Sequence, residues 1–184
     1  MNIGIFCSAN NQIDPVYFEQ TAKFARWCAE HGHSIVFGGC NIGLMGCLAE
    51  AFAATSGTDK GSLIGVVPRI VEQGGRMSQH LTVHIPCDNL SDRKDLMLAH
   101  SDVLVALPGG IGTLDEVFTV AAAHTIGYHR KRLLLLNTGG FWNSLIALLD
   151  DLQQRNMIRG SWTDYISVAE SVEELVDEVE SLIM

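Results

Sequence analysis

Val103-Leu104-Val105-Ala106-Leu107 runs straight into Pro108-Gly109-Gly110-Ile111-Gly112-Thr113-Leu114-Asp115-Glu116. The first five residues are apolar without interruption, as a strand covered on both faces tends to be. From Thr113 to Ile126 the chain reads as a helix. Between them, Gly109, Gly110 and Gly112 let consecutive backbone N–H groups turn into one concavity, and the helix start that follows adds partial positive charge. Strand, glycine turn and helix in that order predict a phosphate-binding site.

Working outward, short aliphatic runs recur near 3–7, 34–37, 62–67, 81–85, 102–106, 132–136 and 165–168, and they read as strands. Helix-like segments separate them. Tyr17, Thr21, Phe24 and Cys28 share one face of a helix over 15–31 that Pro15 suits as a first turn. Further helices are expected over 41–54, 113–126 and 141–154, with a short one around Ser91-Asp92-Arg93-Lys94. Over 171–183, Val172, Leu175, Val176, Val179 and Leu182 oppose Glu173, Glu174, Asp177 and Glu178, and Ser171 with Glu174 has the spacing of a capping box. Parallel strands need crossover connections, so the alternation predicts an α/β, Rossmann-like, doubly wound and mostly parallel sheet with helices on both faces. The 184 residues suffice for one such domain, spanning 1–184. Ligands in such sheets bind beyond the carboxyl ends of the strands, where the strand order switches.

Composition narrows the partners. A formal charge of −9, from 12 basic and 21 acidic side chains, argues against broad binding to nucleic acid or to an anionic membrane. Five cysteines without a CxxC pair read as reduced thiols of a cytoplasmic protein, and no secretion leader is visible at Met1–Cys7. The seven histidines show no metal-ligand spacing, and Trp27, Trp142 and Trp162 read as core or interface anchors.

A second glycine segment, Gly38-Gly39-Cys40-Asn41-Ile42-Gly43-Leu44-Met45-Gly46, fits neither the dinucleotide fingerprint nor the lysine-bearing phosphate loop, for Leu44 stands where lysine is required. Its spacing suits close packing of helix on strand or approach to a ligand equally well. Glu116 has two readings as well. Thr113-x-x-Glu116 is a capping-box pattern, yet a carboxylate near a phosphate calls for a compensating cation, for which Arg93 is the nearest candidate.

These segments together resemble the Lonely Guy family of cytokinin riboside 5′-monophosphate phosphoribohydrolases, often labelled lysine decarboxylases. The resemblance runs from Ile5-Phe6-Cys7-Ser8 through Gly43-Leu44-Met45-Gly46 to the helix after Glu116, and its most specific marks are Arg93-Lys94 with Met97 and Pro108-Gly109-Gly110-x-Gly112-Thr113-x-x-Glu116. It implies a homodimer that splits a nucleoside 5′-monophosphate into free base and ribose 5-phosphate without metal or cofactor. Arg93 and Glu116 would be the catalytic pair. The turn Gly109, Gly110, Ile111, Gly112, Thr113 and Leu114 would hold the phosphate, with Lys94 and Asp115 lining the pocket. Ser8-Ala9, Leu90-Ser91 and Thr125 depart from the family's usual residues and bear on which base is accepted. The rival expectation is a carrier that binds a nucleotide or molybdenum cofactor without cleaving it. A pyridoxal-phosphate decarboxylase fits less well, because no lysine stands in a recognisable cofactor context.

Overall fold

A computed structural model describes residues 1–55 and 61–183. Among the described residues seven strands form one sheet: β1 (Asn2–Phe6), β2 (Ser34–Phe37), β3 (Leu63–Pro68), β4 (Val83–Cys87), β5 (Val103–Ala106), β6 (Leu133–Leu136) and β7 (Ile166–Ala169). Their order is β4-β3-β2-β1-β5-β6-β7, and every neighbouring pair is parallel. The helices are α1 (Pro15–Glu30), α2 (Gly43–Ala54), α3 (Arg69–Gln73), α4 (Leu90–His100), α5 (Ile111–Thr125), α6 (Asn143–Gln154) and α7 (Val172–Ser181). The architecture is the Rossmann-like α/β sheet that the alternation of strands and helices implies.

Strand periodicity divides the core in two. Ile3, Ile5, Ile35, Phe37, Val103 and Val105 point to one face and pack with α1, α2 and α7. Phe6, Val36, Leu104, Ala106, Leu133 and Leu135 point to the other, against α4, α5 and α6. Both faces are therefore covered, which is why the strands read as unbroken apolar runs.

The pattern β3-β2-β1 on one side and β5-β6-β7 on the other puts the switch in strand order between β1 and β5. The chain leaves β1 for α1 on one face and leaves β5 for α5 on the opposite face. The two loops part above their adjacent strand ends, and the crevice opens there.

Several boundaries differ from the sequence reading by one or two residues, and one short helix was not expected. The strand expected over 81–85 lies at Val83–Cys87. It is the edge strand, with Val83, His84 and Pro86 exposed, while Leu81 packs back over Gly65 before the strand begins. The five-residue α3 was not expected, being too short to show a helical period. At the last helix the Ser171 hydroxyl accepts from the Glu174 N–H at 3.2 Å, as a capping box requires. The Glu174 carboxylate, however, accepts from the Glu170 N–H and not from that of Ser171.

Candidate active site

The loop after β1 is tied down on both sides. Ser8 N–H donates to the Pro108 carbonyl at 3.1 Å, Leu44 N–H to the Ser8 carbonyl at 2.9 Å, and Gly43 N–H to Asn11 Oδ1 at 2.7 Å. Gly43 must be glycine here, since its φ is +59° and a Cβ would stand 2.5 Å from the carbonyl carbon of Ala9. Part of the second glycine segment thus serves close packing.

Across the crevice, α5 begins at Ile111, two residues before the sequence suggested, with Gly110 as its N-cap and no side chain capping it. This corrects the capping-box reading of Thr113 and Glu116. Thr113 is the third helical residue and is buried against Gly109, while Glu116 lies a turn further in. None of the described hydrogen bonds uses the N–H groups of Ile111, Gly112 or Thr113, so three donors at the positive end of a fifteen-residue helix remain available to an anion.

Helix α4 supplies the cation. The Asn89 side chain accepts from the N–H groups of Ser91 at 2.9 Å and Asp92 at 3.0 Å, and the Asp92 carboxylate accepts from Asp88 N–H at 3.0 Å. That double cap starts the helix so that Arg93 falls in its second turn, half-buried, with Nε donating to the Val66 carbonyl at 3.3 Å.

A cavity of about 460 Å³ lies between these parts, lined among others by Cys7, Gly38, Arg93, Gly110, Gly112 and Glu116. Thr113 also lines it. Burial pushes the Glu116 carboxyl up to about 7, with Arg93 opposing the rise and Asp115 adding to it. Beneath, burial and then the Glu116 charge hold the Cys7 thiol well above its ordinary range, so it stays neutral. A carboxylate poised near neutral pH in a cleft that also holds an arginine is an arrangement suited to acid–base or charge-stabilising chemistry.

The sequence candidates separate into groups. Arg93, Glu116, Gly110, Gly112 and Thr113 meet in the cavity. Among the described residues Arg93 and Glu116 form no ion pair, and so each remains open to a ligand. Lys94 and Asp115 do not line the cavity: Lys94 Nζ binds both carboxylate oxygens of Asp115 at 2.8 Å, tying α4 to α5 behind it. Their opposite charges satisfy each other, which corrects the expectation of two pocket-lining groups. Ile111 offers only its N–H, the residue being 83% exposed, and Leu114 is half-buried against the core cluster that holds Val117. Gly109 borders a smaller neighbouring cavity with Pro108 and Tyr17. Sequence reasoning missed Cys7, Met45 and the role of Gly38, whose relation to Arg93 is a contact across the fold.

Among the described residues no cluster of His, Cys, Asp or Glu could hold a metal ion.

Residues 45–179 match the family model described as possible lysine decarboxylase. The chain is 31% identical over 180 residues to a probable cytokinin riboside 5′-monophosphate phosphoribohydrolase, LOGL3, of Oryza sativa, covering 97% of this chain and 83% of that protein. The chain belongs to the LOG family. An Arabidopsis thaliana member, LOG1, is 31% identical, covering 98% of this chain and 83% of its own. Solved structures extend the fold of this LOG-family chain further. The molybdenum cofactor carrier protein of Chlamydomonas reinhardtii superposes with a TM-score of 0.75 at 21% identity, over 99% of this chain and 97% of that one. The molybdenum cofactor binding protein of Rippkaea orientalis gives 0.73 at 21%, over 100% and 97%. At those identities the likeness is one of fold. No described helix is long and apolar enough to cross a membrane.

Proposed function

We propose that the chain, acting as one nucleotide-binding domain over 1–184, hydrolyses the N-glycosidic bond of a nucleoside 5′-monophosphate, either a cytokinin riboside 5′-monophosphate or AMP. The observation behind this reading is that Arg93, Glu116 and the uncapped N–H groups of α5 share one cavity. The 5′-phosphate sits on those N–H groups, and Arg93 offsets its repulsion from Glu116. Held this way, the ribose lies over the Glu116 carboxylate. The C1′–N bond breaks with its electron pair leaving on the base, and the carboxylate stabilises the oxocarbenium-like sugar. Water then gives its oxygen to C1′ and a proton to the base nitrogen, yielding free base and ribose 5-phosphate. The steps need no metal or organic cofactor.

Incubation with AMP, an N6-prenyl AMP and adenosine tests the reading, with base and ribose 5-phosphate followed by chromatography. Both nucleotides should be cleaved and adenosine should be a poor substrate, because the phosphate supplies the binding energy that orients the sugar. A protein that binds AMP without releasing base is a carrier, and the proposal fails.

The same reading takes the protein as a homodimer. Ile111, Phe118, Ala122 and Ile126 recur at helical spacing along the exposed side of α5, and Tyr128 and Leu90 are exposed too. Asp115 interrupts that face between Ile111 and Phe118, and the apolar run Phe118, Ala122 and Ile126 beyond it is the surface a partner would cover. Light scattering should give twice the chain mass, and Phe118→Glu should halve it. A wild-type protein that scatters as a single chain at micromolar concentration contradicts the homodimer.

A further inference from the structure

We infer that Gly38 and Met45 are positioning residues that seat the Arg93 guanidinium in the cavity. The inference rests on the reaction proposed above. Gly38 follows β2, and a Cβ placed on it would overlap Arg93 Nη2 and stand 2.7 Å from Cζ and 3.0 Å from Met45 Sδ. The guanidinium therefore occupies the space that any other residue at position 38 would fill, and the Met45 thioether borders that same space. Nε is fixed from a third direction by the Val66 carbonyl. All three side-chain positions, 38, 45 and 93, line the same cavity.

Local backbone geometry gives no other reason for glycine at 38. Its φ lies outside the left-handed region, so a left-handed backbone is not what calls for glycine there. What a methyl group would meet first is the tip of a long, flexible side chain. The fold can yield at that point by moving Arg93, and the cost then falls on the site. Glycine at the end of β2 and arginine on α4 are thus one device, made from segments 55 residues apart in sequence. The Met45 thioether is polarisable and uncharged and offers no strong acceptor, so the Nη groups of Arg93 stay free to point at an anion while Nε is held by Val66.

The test is a double-mutant cycle on the full chain. AMP cleavage and urea midpoint are measured for the parent protein, Gly38→Ala, Arg93→Ala and the double variant, and the Arg93 Nε–Hε resonance is recorded by NMR. Gly38→Ala should keep the parental urea midpoint and lose about 10- to 100-fold in kcat/KM, the scale of a misplacement of about 1 Å. Its Nε–Hε signal should shift and exchange faster as the bond to the Val66 carbonyl is disturbed. The double variant should be no slower than Arg93→Ala alone, since a seat has no work without its occupant. Met45→Ala, which loosens the seat instead of filling it, should show the same non-additivity. Losses that add in the double variants, or a Gly38→Ala protein with parental rate and signal, overturn the seat. If Arg93→Ala itself cleaves AMP at the parental rate, the catalytic reading of Arg93 falls and the seat falls with it. A slow Arg93→Ala beside a full-rate Gly38→Ala removes only the seat.

Discussion

Glu116→Gln is expected to slow base release from AMP by two orders of magnitude or more while making the protein more stable above pH 7. Both effects come from one carboxyl group. Its ordinary value of 4.5 is raised to about 7 in the fold, mainly by burial. Between those values the folded protein holds a proton that the unfolded chain has released, so stability falls as pH rises through the window and levels off above it. The gap is on the order of 3 kcal/mol, which is an upper figure because Glu116 keeps some contact with solvent. Glutamine does not ionise, and its stability should be flat over the same window. The parental urea midpoint should therefore drop from pH 5 to pH 8 while that of the variant does not. Catalysis moves the other way. Removing a preorganised charge from beside a developing cation costs about 3 kcal/mol of barrier, or roughly a hundredfold in rate. The kcat/KM of the parent should rise with pH through about 7 as the free carboxyl ionises. A Glu116→Gln protein that melts earlier at pH 8, or that still cleaves AMP at the parental rate, would show that the carboxylate is structural.

The sheet was legible because its strands are buried on both faces. Leu133-Leu134-Leu135-Leu136 and Val103–Ala106 are apolar throughout, and such runs stand out whatever the period. The edge strand β4 lacks that mark, with only Cys87 fully covered, and its reading slipped by two residues. Helix starts were harder where two signals compete. At α5 the Thr113-x-x-Glu116 spacing imitates a capping box, whereas the actual N-cap is Gly110, which has no side chain to advertise it. The same glycine that hides the helix start from a sequence reader leaves its N–H groups open.

The site divides along the range of its contacts. Arg93, Glu116 and the glycine turn each carry a local pattern and were candidates in the sequence, whereas Cys7 and Met45, which line the same cavity, carry none. Pairing between elements was not legible. Lys94 and Asp115 look like pocket groups until α4 and α5 are docked, when they prove to neutralise each other. Gly38 reads equally well as helix-on-strand packing or as approach to a ligand until the guanidinium of Arg93 is found in the space its Cβ would fill. A glycine's reason is a three-dimensional neighbour, and one sequence does not contain it.

That principle yields the second large effect, because the glycines of the turn do not share one reason. A Cβ at Gly109 would overlap the Thr113 side chain, so the fold itself requires that glycine. At Gly112 a Cβ meets nothing within 4 Å, and the residue is exposed, helical and free of any positive φ. The fold has no use for glycine at 112, which even weakens the helix by roughly 0.5–1 kcal/mol relative to alanine. Its open space lies in the cavity, at the helix start where the phosphate is proposed to sit. Gly112→Ala should therefore raise the urea midpoint slightly, and Gly112→Val should leave it close to the parental value. Nucleotide binding should fall sharply in both and drop below detection in Gly112→Val, since a β-branched side chain would stand where phosphate oxygens must reach the N–H groups. Calorimetry with AMP and with inorganic phosphate reads this directly. Gain of stability with loss of both ligands is the signature of a residue kept small for its ligand. Undiminished phosphate affinity in Gly112→Val would put the anion somewhere other than the start of α5.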